Sequence, residues 1–370
     1  MNEHKSTAPL FHISKRGVIP WYKGWMIRGT ALVISLVFCA VITMLVTGEN
    51  PFMIYATLFD GAFGSSRRIW MFLQNSAILL CVSLALTPAF RMRFWNIGGE
   101  GQMLVGGLAA AACMICLGGK LPEAVLILLM LAASILAGAI WGGIPAFFKA
   151  HWNTNETLFT LMMNYIAIQL VAFFIIIWEV PKGAGQIGII NQNTMAGWLP
   201  VLFGQKYLLN ILISVVICVV MYFYLTYTKH GYEITVVGES ERTARYVGIK
   251  VEQVIIRTML LSGAVCGLTG MLLVSGTEHT LTTTITAGRG FTGVMVSWLA
   301  KFNPIWMIFT IFLLTFMERG AGQISTNFGL SQSFADILTA VILFFIIGSE
   351  FFIQYEIHMR SAQKEESKHV

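Results

Sequence analysis

Apolar residues in this chain come in runs long enough to cross a bilayer, separated by short polar breaks. A membrane-spanning helix needs roughly 20 such residues. Runs of that length occur near Ile27 to Thr47, Ile69 to Phe90, Ile97 to Leu117, Leu121 to Phe148, Thr157 to Val180, Tyr207 to Tyr227 and Val254 to Gly276. Shorter or glycine-interrupted runs follow near Ile285 to Ala300, Ile305 to Met317 and Ala335 to Tyr355. The pattern predicts an all-α fold, a polytopic transmembrane helical bundle of about 8–10 spanning helices that includes half-helices. The first run exceeds the apolar core of a signal peptide and lacks a clear small-residue cleavage site, so it reads as a retained helix.

Composition agrees with the pattern. A chain of 370 residues that is 56% hydrophobic and 11% charged cannot cover itself with a water-facing polar skin. A large soluble domain is excluded. The net charge of +6 points to topology rather than to nucleic acid, because no basic run carries interleaved aromatics. With the N-terminus inside, 17 of the 24 Lys and Arg residues fall on the inner face and seven on the outer. That bias predicts a plasma-membrane protein with both termini cytoplasmic. The expected organisation is a charged extension over 1–26, a membrane domain over 27–355 and a tail over 356–370. An outer loop covers 181–206, and a charge-rich inner loop covers 228–253.

The six cysteines all lie in apolar stretches and read as small buried hydrophobes. Cys113 and Cys116 form a CxxC, but without a second pair it does not indicate a metal or redox site. Small-residue spacings at Gly138 and Gly142, and at Gly263 and Gly267, predict close helix approach.

Catalytic motifs are missing. There is no GxxxxGK[ST] phosphate loop, so the chain is not expected to hydrolyse ATP; there is no HExxH, and the seven histidines are scattered. No catalytic or metal-ligating residue is predicted. An ion-coupled carrier would place carboxylates at membrane depth, where charge is costly. Glu100, Arg257 and Glu350 fall inside predicted helices, with Glu156, Glu179, Glu318 and Asp336 at predicted ends.

Three polar segments stand out. In WNIGGEGQM, Asn96, Glu100 and Gln102 sit among glycines. They form either a helix opening that faces a cavity or a glycine-rich helix start with Glu100 at its positive end. In NTNETLFTLMMNYI, Asn155 and Glu156 lie at a helix entrance and Asn164 lies two turns inside. Capping and interhelical hydrogen bonding are the plainer roles there. These six residues are the candidate pathway positions. In the inner loop, VGESERTARYVGIKV allows Ser240 to cap a short helix that Gly248 ends, projecting a charged turn from the membrane.

Five motifs, in one order along most of the chain, resemble the membrane permease of a binding-protein-dependent ABC importer of the nucleoside, simple-sugar and branched-chain amino acid group. They are DGAFGSS at Asp60 to Ser66, FWNIGGEGQMLVGGLAAA at Phe94 to Ala111, NETLFTLMMNYIA at Asn155 to Ala167, VGESERTARYVGI at Val237 to Ile249, and GRGFTGVMVSWLAKFNPI at Gly288 to Ile305. The resemblance implies a type II importer fold and an ATPase-coupling segment at Glu239, Ser240, Glu241, Ala244, Arg245, Tyr246 and Gly248. It implies three kinds of partner besides the lipid bilayer: an ABC ATPase subunit that binds ATP and Mg, a second permease forming a homo- or heterodimer, and an extracytoplasmic binding protein or lipoprotein. No cofactor is expected in this chain itself. Trp95 and Gly99 depart from the pattern, where a shorter aromatic step and an Ala are common. The form of the Asn155 to Tyr165 motif leans towards the nucleoside branch, with a ribose- or galactose-like sugar permease as the alternative. An ion-coupled secondary transporter or an intramembrane enzyme fits less well. Trp70, Trp95, Tyr165, Phe291 and Trp298 could stack on a base or simply pack.

Overall fold

A computed structural model describes residues 11–17 and 20–359. In chain order the first elements are strand β1 (Phe11–Lys15) and helices α1 (Trp21–Thr47), α2 (Pro51–Phe63), α3 (Ser66–Arg91), α4 (Gly99–Leu117), α5 (Glu123–Trp152) and α6 (Glu156–Trp178). Then come α7 (Leu208–Tyr227), α8 (Lys229–Glu239), α9 (Glu241–Tyr246) and α10 (Val251–Leu273), which runs into a π-helical turn (Val274–Glu278). The last are α11 (Arg289–Leu299), α12 (Pro304–Asn327), α13 (Gln332–Gln354) and strand β2 (Tyr355–Met359). Nine helices among the described residues are long and apolar enough to cross a membrane. The chain divides into two compact units, Phe63–Thr315 and Met1–Ala62 with Phe316–Val370.

In the first of these units the helices sort by polarity. The most apolar stretches of α3 and of α10 with its π turn are 78% and 72% buried, against 22% for α5 and 28% for α7. Lipid can face only apolar side chains, so the polar-studded helices turn inward and the uniformly apolar ones form the rim. Glycine lets the central helices touch. A Cβ on Gly138 of α5 would collide with the carbonyl of Gly263 on α10, and one on Gly106 of α4 would collide with Gly267. Both predicted small-residue pairs therefore meet at a single seam.

One crossing is broken. The chain leaves the π turn at His279, beside the loop that joins α6 to α7: Ile190 donates its N–H to the His279 carbonyl at 2.8 Å. It ends α11 beside Trp95, whose ring stacks on Trp298 at 5.4 Å. Trp95 lies in the α3–α4 turn, and three further crossings separate that turn from the α6–α7 loop. Residues 279–299 therefore run from one face to the other with only 11 residues helical. This is the half-helix expected near Ile285 to Ala300, and with the nine long helices it makes ten crossings among the described residues.

In the other unit, α1 and α13 pack side by side. Their contacts include the Phe38 and Phe345 rings at 5.7 Å and an ion pair of Arg28 with Glu350 at 2.9 Å. Strands β1 and β2 pair antiparallel with Ile13 opposite Ile357. Both ends of the described chain therefore share one face, as an even number of crossings requires. Two features depart from the sequence reading. The run expected at Ile305 to Met317 is a 24-residue helix that continues through Glu318, which is thus not at a helix end. Its glycines serve contact rather than termination, because a Cβ on Gly320 would lie 2.6 Å from Leu58 of α2. Helix α2 itself, 13 residues long, was hidden in a segment too short to read as a span.

Candidate functional site

The inner loop folds as two short helices at a sharp corner. Ser240 is extended, and its hydroxyl accepts the N–H of Thr243 at 3.2 Å, capping α9 as predicted. Gly248 closes the helix at φ +83°, a left-handed conformation that a side chain would strain. Ala244 is fully buried while Tyr246 is 91% exposed, so α9 is seated by one face and presents the other. Arg245 pairs with Glu252 at the start of α10 at 2.6 Å. Glu233 on α8 pairs with Arg257 on α10 at 2.7 Å. A Cβ on Gly238 would strike the carbonyl of Arg91 at the end of α3. Six residues of helix are marginal alone, so these ties to α3 and α10 hold α9 and connect any push on Tyr246 to the central helices.

Asn96, Gln102 and Asn164 come together in an inner clasp. Asn164 on α6 accepts the N–H of Gly101 at 2.8 Å and donates to the Ile97 carbonyl at 2.9 Å. Asn96 accepts from the Gly98 N–H at 3.0 Å and from Gln102 at 3.3 Å, and donates to Ser262 on α10 at 3.1 Å. The open backbone groups at the start of α4 are thus met by side chains. Glu100 occupies the first turn of α4 and accepts the Gly290 N–H of α11 at 3.0 Å, so one carboxylate serves two helix N-termini. Asn155 and Glu156 do not join this group. Asn155 caps α6 through Leu158 N–H at 3.1 Å, and Glu156 pairs with Lys149 at 3.0 Å.

A second buried cluster escaped the sequence reading. Gln74 on α3 donates to the Thr277 hydroxyl at 2.6 Å and Asn210 on α7 donates to the same oxygen at 3.4 Å. The carbonyl oxygens of both amides are buried without a partner. Next to Gln74 along α3, Asn75 accepts from Arg289 at 3.2 Å. This outer seam holds the π turn, a helix defect that commonly marks functional positions. Its only sequence signal was a run of polar residues, QNS, in an otherwise apolar helix.

The α6–α7 loop is a folded cover rather than a spacer. Asn191 donates to the Met114 carbonyl at 2.8 Å, and Trp198 stacks on His279 at 3.7 Å with the rings 7° from parallel. Backbone N–H groups of Gly183 and Gly185, at 2.8 and 2.7 Å, hold the Glu179 carboxyl below its ordinary pKa. Burial pushes His279 down from its usual value, and Lys206 adds to the effect. Of the predicted stacking aromatics, Trp95 and Trp298 stack on each other, while Tyr165 and Phe291 are exposed.

The family described as branched-chain amino acid transport system, permease component, matches residues 68–347. The chain belongs to this permease family. That match spans α3 to α13 and includes every candidate residue described above. Among similar permeases, a guanosine ABC transporter permease protein of Bacillus subtilis, NupP, is 29% identical over 86% of this chain and 92% of its own. A nucleoside ABC transporter permease protein of Lactococcus lactis, NupB, is 29% identical over 85% and 88%. A glucose ABC transporter permease protein of Haloferax volcanii, TsgB13, is 26% identical over 90% of each chain. The permease fold expected from the five motifs is thus shown, and its parts have a common logic: a seated contact helix on one face, glycine seams through the centre, and polar clusters towards each side.

Proposed function

We propose that this chain is the nucleoside permease subunit of an ABC importer. The carrying observation is the α8–α9 corner: on a permease without a phosphate loop, α9 is seated through Ala244 and presents Tyr246 to a partner. An ATPase subunit with bound ATP and Mg would press on Glu239, Ser240, Glu241, Ala244, Arg245, Tyr246 and Gly248. Displacement would pass through Arg245 to Glu252 and through Glu233 to Arg257 into α10, rocking the central helices between outward- and inward-open states. This face would then be cytoplasmic, and the charge bias puts both termini on the cytoplasmic side as well. A binding protein or lipoprotein would dock on the folded α6–α7 cover, and a second permease would complete the pathway. Asn96, Glu100, Gln102 and Asn164 would wall its inner part, with Asn155 and Glu156 at its entrance. No cofactor is assigned to this chain.

The nucleoside reading is supported by the guanosine and nucleoside permeases at 29% identity. A simple-sugar substrate is the second reading, favoured by the glucose permease match across 90% of each chain. Replacing Arg245 or Tyr246 by Glu tests the coupling role. Copurification of the ATPase and nucleoside uptake should both fall, and unchanged values would refute the assignment. Direct binding of nucleosides and of sugars to the delivery protein separates the two substrates.

A further inference from the structure

Beside α9 a cleft of about 580 Å³ opens between the start of α8 and the first turns of α10. Lys229, Lys250 and Arg257 line it against a single carboxylate, Glu233. That carboxylate is already engaged by Arg257 at 2.7 Å, with Lys229 at 3.9 Å. Lys250 has no ion-pair partner among the described residues, and the Arg257 Nε is buried without a hydrogen bond. The cleft is therefore short of negative charge.

Its depth says what could supply that charge. Lys229 follows the last residue of α7 by two positions, whereas Arg257 is six residues into α10, roughly 9 Å along the helix at about 1.5 Å per residue. The cations thus span the layer where helix ends meet headgroups, and exposed Tyr227 and Tyr232 flank them as interfacial aromatics do. Apolar surface approaches the cleft along α7, whose last residue lies two positions before Lys229. Val216, Val220, Phe223 and Tyr227 are all exposed, and their spacing of four, three and four places them on one face of α7.

We propose that this cleft binds the phosphate of an anionic glycerophospholipid, with the acyl chains lying along the exposed face of α7. A lipid headgroup matches both the charge of the cleft and its place at the headgroup layer, where acyl chains already bathe the rim helix α7. The binding does not depend on which solute is carried, and although Gly248 of the coupling segment also lines the cleft, Lys229 and Lys250 lie outside that segment.

The test uses the full chain, alone and with its copurifying ATPase, in nanodiscs of phosphatidylcholine doped with phosphatidylglycerol, and retained lipid is counted by native mass spectrometry. Phosphatidylglycerol should be retained over phosphatidylcholine. Lys229→Gln and Lys250→Gln should each lower that retention about fivefold, the Arg replacements should restore it, and Lys182→Gln, on the opposite face, should leave it unchanged. Equal retention of the two lipids would overturn the proposal, as would an unaffected double Gln variant. So would full displacement by millimolar inorganic phosphate, which would mark a site for a free anion. Loss of the lipid whenever the ATPase is bound would assign the cleft to protein contact instead.

Discussion

The inner clasp and the outer seam are built from the same amide side chains, are similarly buried, and differ in how completely they are bonded. Asn164 spends both ends of its amide on backbone groups at the start of α4. Gln74 and Asn210 instead share one hydroxyl and leave two carbonyl oxygens unpaired. Gln102 leaves its carbonyl oxygen unpaired in the clasp as well, but Asn96 and Asn164 are bonded at both ends and lose bonds in any rearrangement. In the seam neither Gln74 nor Asn210 is bonded at both ends, so rearrangement gives up less. The clasp thus reads as a rivet, and the seam as the side of the unit free to change during transport.

The largest expected effect lies on the riveted side. Asn164→Leu should cost about 2–4 kcal/mol by stranding the Gly101 N–H and the Ile97 carbonyl, read as a drop in the detergent-solubilised midpoint of thermal unfolding. Next, the outer cover should loosen with acid. Glu179 is held below its ordinary pKa near 4.5 by the N–H groups of Gly183 and Gly185. The folded loop therefore binds a proton less readily than the open one. Its stabilisation is complete above that ordinary value and is lost as pH falls through the depressed one. Proteolytic nicking of residues 179–207 should rise over that acidic window, and Glu179→Gln should be nicked readily at neutral pH with little further change on acidification.

Smaller effects belong to the seam. Thr277→Val removes the oxygen shared by two amides and should cost only about 1 kcal/mol, while altering the rate of solute uptake more than the unfolding midpoint. Smallest of all, Gln74→Met removes an amide that is half-satisfied and should change stability by less than about 0.5 kcal/mol. If Gln74→Met proved as damaging as Asn164→Leu, the contrast between the two clusters would fail.

Much of this architecture is legible in the sequence. Ten apolar runs predicted about 8–10 spanning helices with half-helices among them, and the small-residue pairs at Gly138 and Gly263 marked where α5 and α10 touch. Ser240 and Gly248 announced the ends of α9, because capping and left-handed backbone are local properties. Partners distant in sequence were not legible. Nothing near Thr277 names Gln74, 203 positions earlier, as its donor. Glu318 illustrates the opposite error. Local charge and glycine suggested a helix end at a place where close packing against α2 carries the helix onward.

The pairing of β1 with β2 makes the described part of the chain, from Phe11 to Met359, nearly a closed ring. A short linker joining the two strands would complete it. The turn at 118–122, between α4 and α5, could then be opened to give a permuted chain that threads the bilayer the same number of times in a different order.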